Sequence, residues 1–233
     1  MNGKSQKGML WAGLVLAGMY SFGYAVLMGF YPPPAPTLNA AEVLSLYTAS
    51  NMQFRIGVAL MLIGGGFNLL WSVVISAQLA RDEHGTPIWA ILQFGAGALG
   101  TALFFLPPVF WGVAAFSVER DPALTLLMHQ LGWITFITPV CVFPLQAIPI
   151  GVVGLSAKKD DNLSAFPRWM GYFSFWMTLT AEAGVAGLLF KTGPFAWNGL
   201  FPFYLPIIVF GAWITALIYL IIRAVGRQEA ALR

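Results

Sequence analysis

Six long apolar runs, separated by short polar segments, dominate the chain. They cover about residues 8–31, 54–80, 88–116, 123–155, 167–190 and 200–222. Each run is long enough for a helix to cross the hydrocarbon core of a bilayer, which takes roughly 20 apolar residues. The runs do not alternate apolar and polar positions with the period of two that is typical of barrel strands. The pattern therefore predicts an all-α fold in which residues 1–233 form one integral membrane domain, a polytopic bundle of six transmembrane helices.

The segment between the first two spans predicts one further short helix. It follows a proline-rich stretch at 31–36, and Asn39 precedes it with Glu42 three positions later. This is the spacing of a capping box, in which two side chains satisfy free backbone N–H groups at a helix start. We expect this helix to continue through Ser50 and to lie on the outer membrane surface.

Glycine and proline interrupt several of the predicted spans. Three consecutive glycines at 64–66 either weaken the second helix or permit close packing against a neighbour. Pro107 and Pro108 predict a kink or a break in the third span. Three prolines argue against a straight helix in the fourth span: Pro139, Pro144 and Pro149.

The few charged residues define an orientation. Only 9% of the residues are charged, against roughly 25% in soluble domains. With the N-terminus in the cytoplasm, three basic residues face outward and nine face inward. The outer residues are Arg55, Arg120 and Lys191, and the inner ones are Lys4, Lys7, Arg81, Lys158, Lys159, Arg168, Arg223, Arg227 and Arg233. The positive-inside rule then predicts that both termini are cytoplasmic, and it explains the basic net charge without a nucleic-acid partner.

Residue counts argue against metal-dependent chemistry. The chain has two histidines and one cysteine, and His84 lies in a polar loop. This set cannot supply paired haem ligands, a thiolate cluster or the groups of His, Asp and Glu that hold zinc or di-iron centres. The sequence therefore predicts no metal and no cofactor.

Glu182 is the one carboxylate that falls inside an apolar run. Burial of an ionisable residue in a membrane span has a high free-energy cost, so such residues usually face the bundle interior and contact a partner. At 1.5 Å per residue, Glu182 lies about 14 Å below the outer end of its span, and His129 about 10 Å below the outer end of its own. We therefore predict a polar pocket in the outer half of the membrane, with Glu182 paired to His129 or Arg55. Four more residues are expected to contribute to it: Gln130, Tyr24, Trp111 and Tyr204. The alternative is a protonated Glu182 that bonds a nearby carbonyl and has no function.

Three amides form a second candidate cluster nearer the midplane and the inner side. They are Asn68, Gln93 and Gln146. Amides in membrane helices usually join neighbouring helices by hydrogen bonds, and this structural role is the favoured interpretation.

Two segments share a local pattern. Phe104–Pro107 reads FFLP and is followed by Gly112, whereas Phe203–Pro206 reads FYLP and is followed by Gly211 at the same spacing. A repeated local pattern of this kind is typical of transporters that are built from two repeats of three helices each. The two segments occupy different positions within their spans, which weakens the comparison.

Three stretches carry a resemblance to a known family. Phe166–Trp176 reads FPRWMGYFSFW, Lys191–Gly199 reads KTGPFAWNG, and Arg55–Gly65 reads RIGVALMLIGG. Together they resemble a family of six-helix bacterial inner-membrane proteins that has no assigned function, and the Pro-Arg-Trp-x-Gly start of the fifth span is the most specific part. The resemblance implies the topology and the inner-membrane location, and it transfers no catalytic residues.

Three classes of function follow from these observations. The first is a membrane protein that binds or transports a lipophilic small molecule through the outer-half pocket around Glu182, and it is our leading interpretation. The second is a structural or accessory subunit that packs against another membrane protein or against a second copy of itself. The third is a cofactor-free membrane enzyme that uses Glu182 and His129 as an acid–base pair. Membrane lipids are expected partners in all three cases, and nucleic acid is not.

Overall fold

The computed structural model describes residues 3–83, 85–138, 141–156 and 163–232, and its regular elements are helices. The α-helices are α1 (Gly3–Phe22), α2 (Ala40–Thr48), α3 (Asn51–Gly64), α4 (Phe67–Asp82), α5 (Ile88–Phe116), α6 (Pro122–Ile137), α7 (Phe143–Ser156), α8 (Arg168–Ala181), α9 (Ala186–Leu189) and α10 (Leu205–Ala231). Two π-helical turns extend α1 and precede α10, at Gly23–Leu27 and Leu200–Tyr204, and a 3₁₀ turn at Glu182–Val185 joins α8 to α9.

Four helical stretches of the described chain are long and apolar enough to cross a bilayer: Gly3–Leu27, Asn51–Asp82, Ile88–Phe116 and Leu200–Ala231. The other two predicted spans are divided into shorter pieces, one into α6 and α7, the other into α8, the 3₁₀ turn and α9. An all-helical, membrane-compatible architecture is thus confirmed, whereas the number of spans and their orientation stay predictions.

Consecutive helices pack side by side around the bundle. The helix α5 contacts α3, α4, α6 and α7, while α7 packs on α8 and α8 packs on α10. Contact between α1 and α10 closes the ring. Nζ of Lys7 lies 2.9 Å from a carboxylate oxygen of Glu229, so the first and last helices begin and end at the same place. We call this the terminal end of the bundle and the opposite end, which carries α2, the α2 end.

The predicted capping box at the start of α2 is confirmed. Oδ1 of Asn39 accepts hydrogen bonds of 3.0 Å from the backbone N–H groups of Ala41 and Glu42. In return, the backbone N–H of Asn39 donates to the Glu42 carboxylate over 2.8 Å. The helix ends at Thr48, and its Tyr47 side chain is fully buried against the bundle. The side of α2 that carries Val43 and Tyr47 packs on α6, while most of its other residues are exposed. The predicted position of α2 on the outer membrane surface stays a prediction.

The consecutive glycines at 64–66 both interrupt the helix and allow close packing against a neighbour. The helix α3 ends at Gly64 and α4 begins at Phe67, so the second predicted span is interrupted. A Cβ on Gly64 would lie 2.5 Å from the carbonyl oxygen of Leu16, and one on Gly57 would lie 2.9 Å from that of Gly23. Close approach of α3 to the first span therefore requires glycine at these positions.

Prolines affect two spans differently. The helix α5 runs without a break through Pro107 and Pro108, and the kink that these prolines also predict stays a prediction. Surrounding helices bury both prolines, and in an apolar environment continued helix is the way to satisfy the remaining backbone groups. The fourth predicted span is divided, as expected, because α6 ends at Ile137 and α7 begins at Phe143. Pro139 lies outside the described residues.

Candidate functional site

An apolar cavity of about 130 Å³ lies between helices of the bundle and is partly open to its surface. An engineered cavity of roughly 150 Å³ with apolar walls stays dry and binds benzene, so this space is large enough for a small hydrocarbon group. Its walls come from α5, from the junction of α6 and α7, from the end of α8, and from the start of the last span. The lining residues include Phe104, Pro107, Phe136, Ile137, Phe143, Met177, Ala181, Phe203, Pro206 and Ile207.

The cavity forms where regular helical geometry stops. The helix α6 ends at Ile137, which lines the cavity, and α7 begins with Phe143, which lines it too. The helix α8 gives way to the 3₁₀ turn directly after Ala181, and the π turn at Leu200–Tyr204 presents Phe203 to the same space. Irregular turns of this kind recur at functional sites in membrane helices and elsewhere.

The two related sequence patterns meet at the cavity. Phe104 and Pro107 come from the first pattern, Phe203 and Pro206 from the second, and all four line the cavity. The two similar segments therefore contribute to the same wall of the apolar cavity. A repeat that covers both halves of the chain stays a prediction.

A cluster of buried aromatic rings lies beside the cavity towards the α2 end. We define the aromatic cluster as Tyr24, Phe30, Tyr47, Trp111, His129, Trp133 and Trp197, each of which has a ring contact with another member. Tyr24 stacks on Phe136 with ring centres 5.3 Å apart. Since Phe136 also lines the cavity, the cluster and the cavity share a wall.

Four polar atoms of the aromatic cluster are buried without a hydrogen-bond partner. They are the Tyr24 hydroxyl, Nε1 of Trp111, Nε1 of Trp133 and Nε2 of His129. A buried polar atom without a partner costs about 1–3 kcal/mol, and native structures leave few of them. The concentration of four in one cluster identifies this part of the bundle as a candidate site.

The predicted interior position of Glu182 is wrong. Glu182 is exposed on the bundle surface, whereas Thr180 and Ala181 beside it are buried and line the cavity. The backbone N–H of Glu182 still bonds the carbonyl of Thr178, so Glu182 continues the geometry of α8. It lies three residues after Leu179, which is 72% exposed, and therefore on the same outer face of the helix. The expected pair with His129 is therefore not formed.

His129 has a different partner. Its Nδ1 lies 2.8 Å from the hydroxyl of Tyr47, and only 1% of the residue is exposed. Either ring tautomer leaves Nε2 inside the aromatic cluster without a partner. The sequence correctly chose His129 as an interior polar residue and missed its contact with α2.

The other predicted pocket residues are dispersed. The guanidinium of Arg55 lies 5.2 Å from the centre of the Phe116 ring, so a cation–π contact replaces the expected ion pair with Glu182. Tyr204 packs edge-on against Phe203, and Gln130 is half-buried next to His129 in the sequence. The structure brings three of the predicted residues into one cluster, namely Tyr24, Trp111 and His129.

All three predicted amides join helices by hydrogen bonds. Nδ2 of Asn68 donates to the carbonyl of Gly97 over 2.9 Å and links α4 to α5. Gln93 accepts a hydrogen bond from Ser76 between the same two helices. These contacts agree with the interpretation that the amides join neighbouring helices and have a structural role.

Gln146, the third amide, links α7 to α4 and, like Gln93, is only partly satisfied. Its Oε1 accepts a hydrogen bond of 3.4 Å from the hydroxyl of Ser72, while its Nε2 is buried without a partner. A Cβ on Gly100 would lie 2.9 Å from Nε2 of Gln146 and 3.2 Å from Nδ2 of Asn68. Gln146 and Asn68 therefore meet around Gly100, whereas Gln93 lies with Ser76.

Sequence reasoning missed Trp133 and Trp197 as members of the site. Trp197 looks like a residue of an interfacial belt, but it is 6% exposed and its Nε1 donates to the carbonyl of Pro34 over 2.8 Å. His129, Trp133 and Phe136 are spaced four and three residues apart, which places them on one face of a helix. This spacing could have identified Trp133 as a neighbour of His129 in the site.

Within the described ranges, the structure contains no group of three or more His, Cys, Asp or Glu side chains placed to hold a metal ion. Comparison of the chain with protein-family models, with curated proteins and with solved structures finds no match. The resemblance to six-helix inner-membrane proteins therefore stays a prediction.

Proposed function

We propose that this protein is a bacterial inner-membrane protein with six spans and cytoplasmic termini that binds a lipophilic small molecule in the apolar cavity. The cavity itself carries the proposal, because a space of about 130 Å³ with aromatic and aliphatic walls suits a hydrocarbon group. The divided fourth and fifth spans fit membrane crossing, since irregular backbone at membrane depth is tolerated where it is buried in protein.

A ligand dissolved in the membrane has a lateral route to this cavity. Ile207 lines the cavity and is also 46% exposed on the bundle surface. Because the cavity is partly open to the bundle surface, this exposed lining residue marks a side on which the cavity faces the lipid. Transport of the ligand across the membrane would build on such binding and would use the broken helices as moving parts.

A cavity-filling variant tests this proposal. Ala181→Phe places a ring into the cavity, whereas Leu179→Phe adds a ring on the same helix at a side chain that is 72% exposed. We expect a small hydrophobic probe such as cyclohexane derivatives to raise the unfolding temperature of the wild-type protein and of Leu179→Phe in detergent. The shift should vanish in Ala181→Phe. An equal shift in both variants would place the binding elsewhere and contradict the proposal.

The exposed carboxylate of Glu182 favours a second candidate function, that of a subunit in a membrane complex. A carboxylate on the outside of an apolar helix is costly in lipid and is better placed against a protein partner. A photo-crosslinking residue at position 182 is expected to capture a specific neighbour in intact membranes. The same residue at Ile208, which is 65% exposed on α10, is the control, and equal capture at both positions would remove the support for this candidate.

The arrangement of side chains does not support the interpretation that the protein is an enzyme with Glu182 and His129 as an acid–base pair. It requires Glu182 and His129 to act on one substrate, but the first is exposed and the second is enclosed by aromatic rings.

A further inference from the structure

A polar cleft of about 760 Å³ lies at the terminal end of the bundle and is partly open to its surface. Its walls come from residues 3–7 of α1, from residues 77–81 of α4 and from residues 225–232 at the end of α10. We call it the terminal cleft, and among the described residues it shares no lining residue with the apolar cavity. Ligand pockets usually measure about 300–1,000 Å³, so the terminal cleft has room for a lipid headgroup or a small polar molecule.

Three glutamines fix the walls of the terminal cleft to one another. Nε2 of Gln78 donates to the side-chain oxygen of Gln6 over 2.7 Å, and Nε2 of Gln228 donates to the side-chain oxygen of Gln78 over 2.9 Å. Gln78 is 2% exposed and Gln6 is 6% exposed. Because these buried hydrogen bonds join α4 to α1 and to α10, the terminal cleft is a preformed feature of the fold.

The side chains that line the terminal cleft carry an excess of positive charge. Among the described lining residues, Lys4, Lys7 and Arg81 are cations and Glu229 is the one carboxylate, which gives a net charge of +2. Asp82 does not line the cleft but lies 3.7 Å from Arg81. With this second carboxylate counted, the net charge is still positive, so the terminal cleft favours an anion.

Trp11 marks the level of the lipid headgroups beside the terminal cleft. Its side chain is 61% exposed, and tryptophan is enriched at the boundary between membrane and water. Trp11 follows Lys7 by four residues and Lys4 by seven, so the three side chains share one face of α1. At 1.5 Å per residue, Lys7 and Lys4 lie about 6 and 10 Å further from the membrane centre along the helix. The two ammonium groups are therefore at the depth of the headgroup phosphates.

We propose that the terminal cleft binds a phosphate group, whose oxygens accept hydrogen bonds from Lys4, Lys7 and Arg81. Ammonium and guanidinium groups are the side chains that proteins use to bind phosphate. Basic pockets between membrane helices hold the headgroups of anionic lipids, and the depth of the cleft makes such a lipid the nearest source of the phosphate. A soluble phosphate offers the same chemistry from the aqueous side. A phosphate bound between α1 and α4 would stabilise the closed ring of helices, and it is independent of the ligand in the apolar cavity.

A titration of the purified protein in a neutral detergent tests the proposal. The unfolding temperature is measured with added dioleoylphosphatidylglycerol, with dioleoylphosphatidylcholine, whose choline group cancels the charge of the phosphate, and separately with inorganic phosphate. We expect phosphatidylglycerol to raise the unfolding temperature more than phosphatidylcholine does, because binding to the folded state stabilises it. A rise with inorganic phosphate instead would support the site and assign its phosphate to a soluble source. No difference between the two lipids together with no effect of inorganic phosphate would overturn the proposal.

Charge variants distinguish a site from a general attraction to the basic end of the bundle. Lys4→Gln should weaken the apparent affinity for phosphatidylglycerol, or for inorganic phosphate if that ion produced the shift, about fivefold, the effect of one basic residue near an anionic headgroup. Lys4→Arg keeps the charge and should retain most of the affinity. Arg223→Gln is the matched control, because it removes one positive charge from an exposed position on α10 outside the terminal cleft. An unchanged affinity in Lys4→Gln, or an equal loss in Arg223→Gln, would overturn the assignment of this site.

Discussion

The hydroxyl of Tyr47 lies 2.8 Å from Nδ1 of His129 and joins the short helix α2 to α6. Both residues are almost completely buried. Burial raises the pKa of the Tyr47 hydroxyl well above its ordinary value, so the group keeps its proton at physiological pH. The contact fixes α2 to α6 within the aromatic cluster.

Removal of this hydrogen bond should destabilise the protein. Tyr47→Phe would leave both ring nitrogens of His129 buried without partners, at a cost of about 1–3 kcal/mol in the free energy of unfolding. Tyr172→Phe is the matched control, because Tyr172 is 59% exposed. Chemical denaturation in mixed micelles measures both changes.

A double-mutant cycle with His129→Phe isolates the pair. If Tyr47 and His129 stabilise the fold through each other, the double variant should lose less stability than the sum of the two single variants. Additive losses, or a Tyr47→Phe variant as stable as Tyr172→Phe, would contradict the assigned role.

Contact between the first span and α3 should be sensitive to one methyl group. A Cβ on Gly57 would lie 2.8 Å from the Met28 side chain and 2.9 Å from the carbonyl oxygen of Gly23, so Gly57→Ala forces the helices apart. Overpacking of this kind costs about 1–3 kcal/mol. Gly18→Ala on α1, where a Cβ meets nothing within 4 Å, is expected to be neutral or slightly stabilising by helix propensity. Thermal unfolding of the two variants should therefore shift in different directions, and equal shifts would show that the crossing is looser than described.

Membrane topology can be decided at the start of α8. With six spans, Arg168 is on the cytoplasmic side. With only the four long helices crossing, Arg168 would be on the same outer side as Lys191. In a Cys141→Ala background, we expect a cysteine at position 191 to react with a membrane-impermeant maleimide in intact spheroplasts and one at position 168 to react only after permeabilisation. Labelling at 168 in intact cells would contradict six spans.

Features that depend on local chemistry were predictable from the sequence. The capping box of Asn39 and Glu42 formed as expected because it needs only four consecutive residues. The N-cap at Asp121 before Pro122 formed for the same reason. Apolar run length likewise predicted the helices, since a helix is the way a single apolar segment satisfies its own backbone in lipid.

The composition of the site depended on geometry that a periodic pattern does not contain. Glu182 is expected inside because ionisable residues in membrane spans usually face the bundle interior. The packing of α8 on α7 and α10 instead leaves the face that carries Leu179 and Glu182 outward. Tryptophan near the end of a span is typical of an interfacial belt, whereas the hydrogen bond of Trp197 to the carbonyl of Pro34 in a distant loop makes it an interior residue. Contacts between residues far apart in sequence decided both cases.

Closure of the helix ring by α1 and α10 has a consequence for biosynthesis. Phe203, Pro206 and Ile207, which belong to the final span of the chain, form one wall of the cavity. The helices that precede this span would present only an open groove at this place. The proposed ligand binding therefore requires that the Leu200–Ala231 stretch has been synthesised and has docked between α8 and α1.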